Sequence, residues 1–146
     1  MKVLCVGDVI GKPGRRALAR LLPRLIDERG ADYVIVNVEN AAGGFGVTPE
    51  VLAELSALPI HCMTTGNHVW DKREAADLLE REPRLLRPAN YPAGNPGRGL
   101  HVGETADGTR VANNDAAYYY GVLDPALTLE LLVNDDPADD PTGPNV

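Results

Sequence analysis

The sequence predicts an α/β fold in which parallel strands alternate with helices. Short apolar runs at residues 2–7, 33–38 and 60–65 have the length and composition of buried strands. A stretch with apolar residues at helical spacing follows each run. Strand followed by helix, three times over, is typical of parallel strands joined by right-handed crossover connections.

Local signals support the first two helices. Pro13 suits the first turn of a helix in which leucines recur at helical spacing. Pro23 interrupts that pattern and predicts a kink or an early stop. Thr48 and Pro49 are typical of the N-cap and first residue of the second helix.

The remainder of the body is less regular. Asp71 and Glu74 have the spacing of a capping box that opens the third helix. Residues 85–99 are rich in Pro and Gly and indicate a connection. Residues 99–112 indicate a hairpin that turns at the Asp-Gly pair of residues 107–108.

Charge divides the chain into two parts. Residues 1–112 contain all 14 Lys and Arg and have no net charge, whereas residues 113–146 contain no basic residue and carry the whole −7. We interpret residues 1–112 as the N-terminal half of a domain and residues 113–146 as an acidic, atypical tail whose last part is disordered. The acidic balance argues against a nucleic-acid duplex as a partner.

The compartment is predicted from the cysteines and the N-terminus. Cys5 and Cys62 lie in apolar runs and indicate two reduced, buried thiols in a cytoplasmic protein. The first apolar run is cut by Asp8, which makes it too short for a signal peptide or a membrane span.

Each predicted strand ends in polar residues. Asp8 follows the first strand, Glu39 and Asn40 follow the second, and Asn67 and His68 follow the third. Because parallel strands place their carboxyl ends at one edge of a sheet, we expect these five residues to form one site. Taken singly, each residue is more often a cap, turn or solvated residue, so the prediction rests on their coincidence.

The residue types favour a metal-dependent phosphoryl-transfer site. Asp8 offers an anionic oxygen, Glu39 can bridge two metals, and Asn67 can bind through its carbonyl oxygen without adding charge. Two metals about 3.5–4 Å apart can activate water and hold phosphoryl oxygens. His68, next to a ligand, can protonate a leaving alkoxide or stabilise charge at the phosphorus centre.

Four ordered blocks then resemble a known family. The sequences GDVIGKPGR, NVENAAGGFGVT, TTGNHVWDKRE and LLRPANYPAGNPGRG are similar to the N-terminal half of bacterial calcineurin-like metallophosphoesterases of the 2′,3′-cyclic nucleotide phosphodiesterase branch. The similarity covers residues 1 to about 112. Ile10 stands where the wider superfamily commonly has His, and Glu39 where it commonly has Asp; both departures are typical of this branch.

The resemblance implies a helix/sheet/sheet/helix sandwich with a centre of two divalent metal ions, with iron, manganese or magnesium as candidates. It implies metal-site positions at Asp8, Glu39, Asn40 and Asn67 and a catalytic histidine at His68. The implied substrates are small phosphodiesters, among them 2′,3′-cyclic nucleotides. A membrane is not an expected partner, and a homo-oligomer is left open.

The chain also departs from the family. The family's second half supplies further histidines to the metals, and none of those motifs follows Asn113. We therefore expect a sandwich incomplete at its C-terminus and an incomplete dimetal site. A change of reading frame or a gene fusion, a truncation, and a half-site completed by a partner chain all remain open as origins. The alternative function is a catalytically inactive family member that binds a metal or nucleotide at most.

Overall fold

The computed structural model describes residues 1–115 and the backbone of residues 129–131. The strands are β1 (Val3–Val6), β2 (Tyr33–Asn37), β3 (Cys62–Thr64), β4 (Leu85–Leu86), β5 (Leu100–Glu104), β6 (Arg110–Asn114) and β7 (Leu129–Leu131). The helices are α1 (Gly11–Arg29), α2 (Pro49–Ser56) and α3 (Ala75–Arg81), and a 3₁₀ turn covers Gly66–Trp70. None of the helices in this part of the chain has the length and apolar character needed to cross a bilayer.

Five strands form a parallel sheet in the order β4-β3-β2-β1-β7. Val3 of β1 is in register with Tyr33 of β2, and Ile35 of β2 is in register with Cys62 of β3. Strands β5 and β6 form a separate antiparallel hairpin. The predicted α/β class with a parallel sheet is confirmed, and β1, β2 and β3 form where the apolar runs predict them.

Successive side chains of each strand point to opposite faces of the sheet, so the buried residues form one cluster on each face. One face packs against all three helices through a large buried cluster that includes Leu4, Leu22, Val36, Leu55, Met63 and Leu79. The other face carries a smaller cluster that includes Tyr33, Cys62 and Val111 of the hairpin. A side chain at Gly103 of the hairpin would collide with Tyr33, so the absence of one lets the hairpin approach the sheet closely.

Helix α1 continues through Pro23 to Arg29, so an early stop does not occur. Leu18 and Leu22, which precede Pro23 in the sequence, are buried against the sheet. Gly30 closes the helix in the left-handed conformation and donates its N–H to Ile26. Burial of the leucine face thus outweighs the backbone hydrogen bond that a proline cannot make.

Two local predictions are wrong. Helix α3 begins at Ala75 with Glu74 as its N-cap residue, and no side chain caps it, so Asp71 and Glu74 do not form a capping box. The Asp71 carboxylate pairs instead with His68. Residues 85–99, predicted as a connection, begin with the short strand β4. A strand of two residues is too short to show the alternating pattern by which strands are predicted.

The hairpin forms as predicted, and its turn includes Gly108 with a φ of 85°. Strand β6 runs to Asn114, past the predicted boundary at residue 112. Strand β7, within the predicted tail, pairs with β1 through its backbone. The expected disorder at the end of the tail lies outside the described residues. The two cysteines are free thiols, with Cys62 buried and Cys5 half-buried.

Candidate functional site

Backbone hydrogen bonds continue beyond the strands and hold the three strand ends together. The N–H of Val9, after β1, donates to the carbonyl of Asn37 at 3.1 Å. The N–H of Val38, after β2, donates to the carbonyl of Thr64 at 2.9 Å. We call the segments after β1, β2 and β3 the first, second and third junctions; they contain residues 7–8, 39–40 and 66–68, respectively. The three junctions therefore leave the sheet side by side at its carboxyl edge.

Glu39 lies at the centre of this edge. Its Oε2 atom is buried and has no hydrogen-bond partner within the described chain. Burial raises the pKa of its carboxyl, and the nearby Asp8 raises it further, while the imidazole and backbone N–H of His68 lower it. Glu39 is therefore a carboxylate whose charge the surrounding residues compensate only in part.

The carboxylate of Glu39 also rests against the backbone of the third junction. A side chain on Gly66 would make its Cβ overlap with Oε2 of Glu39. Gly66 has a φ of 51°, in the left-handed region that side chains rarely adopt. Only glycine fits this position without moving either the carboxylate or the turn.

Asp8 and Asn40 are in direct contact. The Asn40 side-chain amide donates to Oδ1 of Asp8 at 2.8 Å, and the Asp8 side chain is exposed. The backbone carbonyl of Asn40 accepts from Gly11 at 2.9 Å and from Gly44 at 3.0 Å, which fixes the start of the glycine-rich loop. The first and second junctions therefore meet through their side chains as well as through the backbone.

The glycine-rich loop after Asn40 leaves space beside these groups. Gly43 and Gly44 have φ values of 73° and 106°, and no atom lies within 4 Å of a Cβ built on either. Phe45, between Gly44 and Gly46, is 56% exposed. Its ring meets the His68 ring edge-on, with 5.4 Å between the ring centroids.

The 3₁₀ turn after β3 carries the third junction. Nδ1 of His68 lies 2.6 Å from Oδ2 of Asp71, and the two side chains are 30% and 40% exposed. Asn67 has an exposed side chain, and within the described part of the molecule no hydrogen bond joins it to the other four predicted residues. Chain position alone places Asn67 at this edge.

Asp115 holds the start of this turn through hydrogen bonds to its backbone. Its Oδ2 accepts from the backbone N–H of Thr65 at 2.8 Å and of Gly66 at 3.0 Å, and the residue is only 5% exposed. The hydroxyl of Thr65 donates to the carbonyl of Leu86 at 2.7 Å. The backbone that leads to Asn67 and His68 is thus fixed by residues from β4 and from just past β6.

Sequence reasoning missed Asp71, Asp115 and Phe45. The three-residue interval between His68 and Asp71 could have indicated their contact, but the same letters also match a helix cap. Asp115 is separated from Thr65 by 50 residues and falls within the predicted atypical tail, so no local signal could find it. Phe45 lacks any pattern that marks it as a site residue.

The fit of this edge to a divalent cation is partial. Across residues 1–115, no group of three or more His, Cys, Asp or Glu side chains is arranged to hold a metal ion. Two carboxylates and neighbouring amides do offer hard oxygen donors, and the unpartnered oxygen of Glu39 is one that a cation would compensate. The described residues therefore supply oxygen donors at this edge but no complete ligand group for a metal ion.

Comparisons with known proteins agree with these features. A family model described as YmdB-like protein matches residues 4–118. The chain belongs to the YmdB-like protein family. The 2′,3′-cyclic-nucleotide 2′-phosphodiesterase of Bacillus subtilis is 41% identical over 100 residues, which are 68% of this chain and 38% of that protein. The predicted recognition of the family is confirmed.

Solved structures give the same outcome for the fold of this YmdB-like chain. A hypothetical protein from Thermus thermophilus matches with a TM-score of 0.72 at 39% identity, covering 80% of this chain and 44% of that one. A novel phosphatase from Mycoplasma pneumoniae matches with a TM-score of 0.72 at 29% identity, covering 89% and 46%. The chain spans less than half the length of these relatives.

The structure thus brings Asp8, Glu39, Asn40 and His68 into one neighbourhood, through the hydrogen bond between Asp8 and Asn40 and the charges that act on Glu39. Their predicted functions as metal ligands and catalyst stay predictions.

Proposed function

We propose that this chain carries part of the active site of a metal-dependent phosphodiesterase that hydrolyses 2′,3′-cyclic nucleotides or similar phosphodiesters. The single observation that carries the proposal is the buried, unpartnered oxygen of Glu39 beside Asp8, at the edge where His68 also lies. The name of the Bacillus subtilis relative supports the substrate class. The arrangement is compatible with the first part of a calcineurin-like sandwich, in which a second sheet faces the first.

In this proposal, Asp8, Glu39, Asn40 and Asn67 hold divalent cations, with iron, manganese or magnesium as candidates. A bound cation would supply Lewis-acid stabilisation of phosphoryl oxygens. The carboxylates suit such ions because oxygen donors prefer hard cations, and Asn40 and Asn67 add donors without adding charge.

The chain's own residues have separate functions beside the cation. His68 lies at the same edge, with its ring partly exposed, and is the group that can move a proton to or from a bound ester. The open space at Gly43 and Gly44 leaves room for the phosphodiester to approach. Two free thiols fit a reducing, cytoplasmic environment.

The test measures hydrolysis of 2′,3′-cyclic AMP with manganese, magnesium or ferrous iron added. His68→Ala should lower turnover by about 100-fold or more, because general acid–base catalysis contributes about that much, and should leave metal content unchanged. His101→Ala removes an imidazole from the hairpin and should retain the rate. A His68→Ala rate equal to that of the unmodified protein would contradict the catalytic function.

A metal- or nucleotide-binding module without turnover is the second candidate. It is favoured by the lack of any three-residue ligand group in residues 1–115. Titration calorimetry with Mn²⁺ should then detect binding that Glu39→Gln weakens, while hydrolysis stays at the buffer rate. Turnover above buffer that depends on His68 would exclude this alternative.

A further inference from the structure

We propose that Asp71 is a positioning residue that keeps the hydrogen of neutral His68 on Nδ1 and so presents Nε2 to the substrate. The inference deepens the proposed function and rests on it for the substrate. The carrying observation is the 2.6 Å separation between Nδ1 of His68 and Oδ2 of Asp71. An ionised carboxylate only accepts hydrogen bonds, so the hydrogen in this contact belongs to the imidazole.

The local backbone brings the two side chains together. Residues three apart lie on the same side of a 3₁₀ helix, and Asp71 directly follows the turn that contains His68. The N–H of Asp71 donates to the carbonyl of His68 at 3.2 Å, which closes the turn. Phe45 meets the imidazole ring edge-on and limits the orientations that the ring can adopt.

Neither helix capping nor a gain in stability accounts for the position of Asp71. It does not cap α3, because that helix begins four residues later and no side chain caps it. It also contributes little to stability as an ion pair, because both side chains are partly exposed and solvent screens their attraction. A contact that adds little stability but is short and directional suits the selection of a tautomer.

The consequence for hydrolysis concerns one atom. The attacking water forms its bond to phosphorus and releases a proton to the solvent as the bond to the leaving oxygen breaks. The leaving oxygen keeps the electron pair and takes a proton from Nε2 of protonated His68. The remaining hydrogen stays on Nδ1, bonded to Asp71, and the ring becomes neutral in the tautomer that the pair favours. Asp71 does not itself exchange a proton.

The chain suits a direct measurement because it contains three histidines. Nδ1 of His61 accepts from the N–H of Val34 at 3.0 Å, so His61 must carry its hydrogen on Nε2. In a ¹⁵N-labelled sample well above the usual histidine pKa of about 6.5, two-bond ¹H–¹⁵N correlation spectra distinguish the tautomers. We expect opposite patterns for His68 and His61 in one spectrum.

Substitution then tests the cause. Asp71→Ala should move His68 toward the Nε2–H form and leave His61 unchanged. Asp77→Ala, which removes an exposed carboxylate from α3, should leave both unchanged. A His68 that already carries its hydrogen on Nε2, or a pattern that Asp71→Ala does not alter, would overturn the proposal. Because no turnover is needed, failure of the phosphodiesterase proposal remains a separate result.

Activity gives a second readout where hydrolysis is detected. Asp71→Ala should slow an alkyl phosphodiester, whose leaving oxygen needs a proton, by about 10-fold or more beyond its effect on a nitrophenyl ester. An equal loss for both esters would contradict delivery of the proton from Nε2.

Discussion

The first and third junctions of the sheet have the same local design and different surroundings. Gly7 precedes Asp8 after β1, and Gly66 precedes Asn67 after β3. Gly7 has open space around it, and Asp8 is exposed. Gly66 is enclosed by the carboxylate of Glu39 and by Asp115, which accepts its N–H.

The difference suggests that the first and third junctions have different functions within the proposed site. Hydrogen bonds within the chain fix the backbone of the third junction, which suits a group such as His68 that must meet a reacting atom at a set angle. The first junction is held by strand pairing and by one side-chain contact with Asn40. Its exposed carboxylate can adjust to a cation without disturbing the core.

The largest expected change in stability comes from substituting alanine for the glycine at each junction, Gly7 and Gly66. Gly66→Ala should lower the free energy of unfolding by about 3 kcal/mol, because φ is positive and the end of the Glu39 side chain must move away from the new Cβ. Gly7→Ala, with nothing within 4 Å, should change it by no more than about 0.5 kcal/mol. Urea denaturation followed by circular dichroism measures both. Similar losses at the two positions would show that the junctions are equally constrained.

A smaller effect is expected when a carboxylate is removed at each junction. Asp115→Ala leaves the N–H groups of Thr65 and Gly66 without their buried acceptor and should cost about 2–3 kcal/mol. Asp8→Ala removes an exposed acceptor and should cost less than about 1 kcal/mol. Hydrogen exchange provides the local readout, since only Asp115→Ala should accelerate exchange at residues 65 and 66. Unchanged exchange there would contradict the supporting function of Asp115.

The same two junctions separate what the sequence could predict from what it could not. Periodic apolar residues and strand–helix alternation predict β1, β2, β3 and the edge where Asp8, Glu39 and His68 lie. These features are predictable because each pattern is contained within a short segment of the sequence. Asp115 reaches Thr65 across 50 residues, and no short window contains both. Asp71 was visible but ambiguous, since its spacing to Glu74 matched a helix cap that the backbone does not form. The structure is therefore needed to identify a hydrogen-bond acceptor that is distant in sequence, such as Asp115, and to decide between two possible local contacts of one residue, such as Asp71.

The smallest predicted effect concerns the titration of His61, which directly precedes β3. Burial lowers the pKa of His61, and the charges of Arg84 and His101 lower it further. The unfolded chain, with a pKa of about 6.5, then binds a proton more readily than the folded one, so the free energy of unfolding should decrease as pH falls from about 7 to 5. His61→Asn can keep an acceptor for the N–H of Val34 and removes the titration, so its stability should decrease less over that interval. Thermal unfolding at several pH values measures the difference, and parallel curves for the two proteins would mean that His61 has the same proton affinity in both states.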